Sequence, residues 1–213
     1  MRIRKKPLQR ICLCALFAAL ICILSPIAIP IGPVPVSLSL IAVLLSALML
    51  GVGGGVGAVA VYLLIGAVGL PVFGGGMGGF GVLLGPTGGY IWSYLPMTLL
   101  CGALYRRVLW SEKRVETGCV KGTVMGTVCA LPGLLICYLL GTVQYMLVAR
   151  VSAWAAIAIC VLPFIGFDLV KLVLVAFVGV RLLRMNWLRR MIANCFGKNK
   201  ERAEDTRKGV DGI

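Results

Sequence analysis

Of 213 residues, 60% are hydrophobic and only 13% are charged, and the mean hydropathy is +1.02. Soluble domains run nearer half apolar and a quarter charged, and a chain this short cannot hide so much apolar surface in one aqueous core, so the composition excludes an ordinary soluble protein and calls for a bilayer. The net charge of +14 is not a nucleic-acid footprint: no Asp or Glu occurs before Glu112, and the basic residues stand in blocks between apolar runs, which is how a membrane chain signals its topology.

A spanning helix needs about 20 apolar residues. The basic stretch Arg2, Arg4, Lys5, Lys6 and Arg10 precedes a first segment, Ile11 to Ile29, with no small-x-small cleavage site before a polar domain. The run Ile29-Pro-Ile-Gly-Pro-Val-Pro35 breaks it, because proline lacks an N–H and restricts its predecessor. Segments two (Val36 to Leu50) and three (Gly55 to Leu70) flank Gly51-Val-Gly-Gly-Gly-Val-Gly57, a tight turn or a close helix crossing. The Gly-rich connection Pro71 to Pro86 leads to segment four (Gly88 to Tyr105) and a charged connection holding Arg106, Arg107, Glu112, Lys113, Arg114 and Glu116. Segment five runs from Val120 to Val148. The stretch Ser152 to Leu162 reads as a re-entrant or interfacial piece, and segment six runs from Phe164 to Leu183. The expectation is an all-α bundle of six transmembrane helices with a Gly-rich outer loop between helices three and four. The chain divides into a basic cytoplasmic N-terminus (1–10), a transmembrane substrate-binding domain (11–183) and a basic cytoplasmic tail (184–213) that frays.

Charge sets the orientation. With the N-terminus inside, the inner segments hold 19 of the 21 basic residues, the outer side has Arg150 alone, and Lys171 lies within segment six. The opposite topology would put nearly all basic charge outside, against the positive-inside rule. A multi-pass protein of the bacterial cytoplasmic membrane with both termini cytoplasmic is expected.

The nine cysteines form no CxxC pair, most lie in apolar segments, and there is no His, so a zinc site lacks spacing and partners. They read as small apolar membrane residues, and neither a metal nor a cofactor is expected.

Asp168 and Lys171 are the only acid–base pair inside an apolar segment, and their i, i+3 spacing puts them on one helix face. A charge in the membrane costs about 2.5–3.5 kcal/mol on insertion scales, so such residues mark functional sites facing a bundle interior or a wet cavity. The alternative is a self-neutralising structural pair. A first-turn position behind Pro163 would also suit the helix dipole. Accessible from outside, Asp168 could accept N–H donors from a ligand while Lys171 met an acceptor.

The connection Gly74-Gly-Gly-Met-Gly-Gly79 formally contains GxGxxG, but no acidic ribose partner stands at the right distance after it and no parallel-sheet pattern flanks it. It reads instead as a flexible loop whose backbone, at Gly78 and Gly79, can approach a ligand closely, or as a structural link. No Walker A sequence is present. Small residues at spacing four (Ala15 and Ala19, Gly51 and Gly55, Gly53 and Gly57) mark helix contacts, either packing within the bundle or docking of a partner. Gln144, Arg150, Tyr90 and Trp92 fall at outer helix ends, where each serves as an interfacial anchor or lines a pocket.

Four blocks, in order, closely resemble the BioY family: Pro33-Val-Pro-Val-Ser-Leu38, Gly66-Ala-Val-Gly-Leu-Pro-Val-Phe73 with the glycine cluster, Gly81-Val-Leu-Leu-Gly-Pro-Thr-Gly-Gly-Tyr90, and Pro163-Phe-Ile-Gly-Phe-Asp-Leu-Val-Lys171. The family comprises the biotin-binding S components of energy-coupling factor (ECF) transporters. The resemblance implies a six-helix S-component fold with one biotin near the outer face. It also implies an energising module of two ATPase subunits and a membrane coupling subunit, toward which the S component topples. Asp168 and Lys171 match the family's Asp-x-x-Lys and would meet the ureido ring, carboxylate to N–H and ammonium to carbonyl. Gly74 to Pro86 would form the lid, and Ala15 and Ala19 match the AxxxA that docks on the coupling subunit. Gly78, Gly79, Tyr90 and Gln144 complete the expected binding set. The chain departs from the family at Gly166-Phe167, where Pro-Gly is usual, at Ser37 and Ser39, where Thr-x-Gln is frequent, and at Gln144, where a larger apolar residue is expected.

The expected function is therefore a non-enzymatic capture subunit for biotin, with no nucleic-acid partner. Three other readings are an S component for another vitamin, an intramembrane enzyme, and a channel or structural subunit. Against the enzyme stand the lack of His and of a nucleophile–base pair; against the channel stands the scarcity of polar residues to line a pore.

Overall fold

The computed structural model describes residues 5–31, 34–110 and 118–196. Helix α1 (Lys5–Leu24) starts and stops earlier than the first segment read from the sequence. Ser25 makes the last helical bond, to Ile21 O at 2.9 Å, and Pro26 then disfavours a further helical turn. The next residues, where the sequence breaks the first segment, are extended: β1 (Ala28–Ile31) and β2 (Val34–Ser37) pair antiparallel, with Ile29 opposite Val36 and Pro30 opposite Pro35. Prolines hold their neighbours extended, and alternate pairs of an antiparallel ladder exchange no hydrogen bonds, so two residues without an N–H can face each other.

Helix α2 (Ser39–Ala67) takes in segment two from Ser39 and segment three as far as Ala67, and is interrupted at Gly51, whose φ of 68° and ψ of −160° only glycine adopts readily. In a straight helix residues eight apart lie about 12 Å from one another. Here a Cβ placed on Gly55 would lie 3.1 Å from Ala47 Cα, so the chain folds back on itself. The glycine run is thus a hairpin between two helical arms, 39–50 and 52–67. Ala42, Val43, Leu44, Ala47, Leu48 and Leu50 are wholly buried, which puts the hairpin at the centre of the bundle.

The connection after α2 is folded rather than loose. A 3₁₀ turn (Gly74–Gly76) and the short helix α3 (Phe80–Leu84) are tied down by buried Phe73, which meets the Tyr62 ring edge-on at 5.5 Å, and by Gly79 N donating to Gly66 O at 2.7 Å. Gly78 is where the backbone needs glycine: a Cβ there would sit 2.2 Å from Leu70 O.

Helices α4 (Gly88–Val108) and α5 (Cys119–Ala149) pack closely through glycines. A Cβ on Gly133 would strike Cys101 Sγ, and one on Gly141 the Tyr90 ring. Close approach at small residues is how helices associate without water to drive them together. The opposite side of α5 exposes Val120, Val124, Val128, Leu135, Leu139, Val143 and Leu147, a stripe at spacings of four and seven. An apolar stripe of this size is a liability in water and suits lipid.

The stretch read as re-entrant or interfacial forms α6 (Ala153–Cys160), with Ser152 Oγ accepting from Ala155 N at its start. Its buried Ala156 and Cys160 pack with Val36, Tyr145 and Phe164. Helix α7 (Leu162–Arg184) is segment six, and Pro163 sits in its first turn, where a missing N–H costs nothing. The fraying tail is corrected at its start: Asn186–Phe196 forms α8, with Ile192 and Cys195 buried. Phe196 lies against Gly54, Arg10 Nε donates to Cys195 O, and the guanidinium stacks over the Phe196 ring at 6.0 Å. The charged residues at 111–117 and 197–213, with Arg2 and Arg4, lie outside the described residues.

Candidate functional site

Ser25, Ser39, Thr142, Asp168 and Lys171, all buried, stand toward the end of the bundle that carries the β-hairpin, while Ser46 and Thr98 are buried deeper, toward Gly51. Asp168 and Lys171, 7% and 8% exposed, form an ion pair at 2.9 Å on α7. Asp168 lies nearly two turns into that helix, not in its first turn, so the dipole argument made from the sequence falls away. The carboxylate is held by side chains instead. Its Oδ1 accepts from Lys171 Nζ, and its Oδ2 accepts from Tyr138 OH at 2.7 Å. Lys171 Nζ also donates to Ser37 O at 2.9 Å, tying α7 to the end of β2.

This arrangement leaves bonding capacity unspent. A carboxylate offers about four acceptor positions and an ammonium three donors; two of each are used within the protein. Asp168 can still accept and Lys171 can still donate, which fits a planar group bearing N–H next to a carbonyl.

The pair opens into a cavity with about 480 Å³ of free space including its mouth, walled by Leu40, Tyr90, Tyr94, Leu134, Tyr138 and Phe164. Two tyrosines, with Pro35 and Ser37, are shared with a second cavity of about 410 Å³ that runs beneath the glycine loop. Aromatic walls with a few converging polar groups are the usual make-up of a small-molecule site.

The residues singled out from the sequence divide into groups. Asp168, Lys171 and Tyr90 come together in the first cavity, and Tyr90 OH also contacts Thr142 Oγ1 and Cys160 O, both at 3.3 Å. Gln144 does not line either cavity. Its Nε2 donates to Leu83 O at 2.9 Å and Gly85 O at 2.8 Å, clamping the C-terminal end of α3 to α5. Gly78 and Gly79 also stand outside both linings; from the loop it is Gly74, Met77, Val82 and Thr87 that face the second cavity. Trp92 Nε1 donates to Leu83 O at 3.3 Å, a second tie on the loop. Ala15 and Ala19 are exposed on α1, and Ala15 borders a groove between α1, the second arm of α2 and Phe196.

Tyr138 was not singled out from the sequence, nor was Tyr94, whose OH lies 2.6 Å from Ser39 Oγ. The signal was present. Tyr138, Thr142 and Tyr145 recur at spacings of four and three on α5, and Tyr90 and Tyr94 stand four apart on α4. A polar stripe on a membrane helix faces the bundle interior.

Residues 1–186 match the model of the BioY family. The chain is 35% identical over 177 residues to the biotin transporter BioY2 of Lactococcus lactis subsp. cremoris, covering 83% of this chain and 91% of that one. It is 38% identical over 170 residues to the biotin transporter BioY of Thermotoga maritima, covering 80% and 93%. Its fold matches the crystal structure of the S-component for biotin from an ECF-type ABC transporter with a TM-score of 0.75, at 24% identity, over 90% of this chain and all of that one.

Proposed function

The chain belongs to the BioY family, and from that premise we propose that it captures biotin at the outer side of the membrane, without covalent chemistry, and passes it inward. The observation that carries this is the buried Asp168–Lys171 pair, braced by Tyr138 and opening into an aromatic cavity. Asp168 accepts from a ureido N–H while Lys171 donates to the ureido oxygen. In a dry pocket such charge-assisted bonds supply the specificity, and the aromatic walls take the apolar remainder.

The sidedness comes from charge. The cavities lie at the Ser25–Ser39 end of the bundle, whereas Arg10, Arg106 and Arg181 lie at the Gly51 and α8 end. The positive-inside rule makes the latter cytoplasmic, with both termini, and opens the cavities outward from the bacterial cytoplasmic membrane. Delivery depends on partners: an ECF coupling membrane subunit, docked on the face of α1 bearing Ala15 and Ala19, and two ATPase subunits. Gly74–Pro86, clamped by Gln144, is the lid.

Calorimetric titration of the detergent-purified protein with biotin is the test. One-to-one binding is expected. Well-folded protein that takes up no biotin would overturn the proposal.

A further inference from the structure

The second cavity has a chemistry of its own. Seven of its lining residues bear a hydroxyl (Ser25, Ser37, Ser39, Tyr62, Thr87, Tyr90 and Tyr94), the rest are apolar, and among the described residues no charged side chain lines it. Positions 32 and 33, between the strands, are Gly and Pro. Lys171 belongs to the first cavity, where Asp168 and Ser37 O already hold it.

The hydroxyls form a chain that can be read in two directions. Ser39 N donates to Ser37 Oγ at 3.0 Å, and Ser37 Oγ lies 2.8 Å from Ser25 O and 2.9 Å from Ser39 Oγ, which lies 2.6 Å from Tyr94 OH. Each hydroxyl has one hydrogen and two lone pairs. The single Ser37 hydrogen goes to Ser25 O or to Ser39 Oγ, while the Ser39–Tyr94 bond can run either way: where Tyr94 donates to Ser39, it shows the cavity a lone pair. If Ser39 donates to Tyr94 instead, the Tyr94 hydrogen is free for a ligand. Ser25 Oγ and Tyr62 OH, 2.7 Å apart, make a second pair of the same kind. Such a wall can serve an acceptor or a donor. Among the described residues it supplies no cation to offset the desolvation of an anion, which is costly when unpaired.

We infer that this cavity is a subsite for an uncharged polar end group, so that biotin derivatives whose carboxylate is replaced by a carboxamide or an ester are ligands alongside biotin. The inference rests on the proposed capture of biotin, with the ureido head at Asp168 and Lys171 and the side chain running past Tyr90 and Tyr94 into the second cavity.

The test is titration of the purified full-length protein with biotin, biotin carboxamide and biotin methyl ester. The carboxamide is expected to bind tighter than biotin, or weaker by less than about ten-fold, the factor that corresponds to 1.4 kcal/mol. If biotin binds one to one and the carboxamide binds ten-fold or more weakly, a charge-specific contact meets the carboxylate and the inference is wrong. If none of the three binds to folded protein, it is the assignment of the ureido head that has failed, and the inference goes with it.

Discussion

At the scale of single residues, the proposed recognition falls to Asp168 and Lys171, with Tyr138 bracing the carboxylate. Asp168 holds two protein donors and still has room to accept from a ligand. Replacing it with Asn removes the charge and keeps the shape. Since a hydrogen bond to a charged group contributes about 1.5–3 kcal/mol, Asp168→Asn should weaken biotin binding at least about ten-fold in calorimetry while the protein stays folded; unchanged affinity would show that the ligand head lies elsewhere. Tyr138 acts through Asp168, as a positioning residue. Tyr138→Phe deletes one hydroxyl and leaves the ring in the cavity wall. Affinity should fall by roughly five-fold, in line with about 1 kcal/mol for one hydrogen bond. In the Asp168→Asn background the same change should have less effect, which a purely structural role for the hydroxyl would not produce. The pair was legible because no other opposite charges share an apolar segment. Tyr138 was harder to pick out, since tyrosine is as ordinary at a membrane boundary as in a pocket and only contact with Asp168 separates the two roles.

At the scale of elements, the lid and the α2 hairpin depend on particular backbone requirements. Gln144 was expected to touch the ligand, yet its amide is spent on Leu83 O and Gly85 O. Gln144→Ala should therefore act on the lid: faster hydrogen exchange over residues 80–87 and a raised biotin dissociation rate, with the association rate little changed. If exchange in that segment is unaltered while affinity collapses, the side chain meets the ligand directly. Gly51 turns the hairpin with dihedrals that other residues adopt only under strain. Gly51→Ala should cost about 1–3 kcal/mol, read as a lowered thermal midpoint in detergent. The glycine run announced a turn or a crossing; which of these it is depends on contacts between residues eight apart, and a local pattern does not hold that information.

At the scale of the whole molecule, the two ends differ in make-up. The cavities occupy one end, and the exposed small-residue face of α1 leads to the other, where α8 packs on Gly54. Ala15→Trp should leave biotin binding by the purified protein within about two-fold, because Ala15 borders neither cavity, and should abolish energised uptake in cells. Loss of binding in the same variant would show that the two ends are coupled through the bundle rather than separate.

Composition and charge spacing alone determined that the chain is a membrane bundle, how its ends are oriented in expectation, and which opposite charges share an apolar segment. Each of these comes from the solvent: lipid demands long apolar helices, excludes unpaired charge, and leaves the basic residues at the ends. Tertiary structure alone decided that a β-hairpin stands at the end of the bundle that holds the cavities, that Asp168 is held by Tyr138 and Lys171 rather than by a helix terminus, that Gln144 is bonded to Leu83 O and Gly85 O, and that hydroxyl-bearing residues converge on the second cavity. These depend on contacts between residues far apart in the chain: Ser37 and Lys171, Tyr138 and Asp168, and Ser39 and Tyr94 meet only once separate helices have packed.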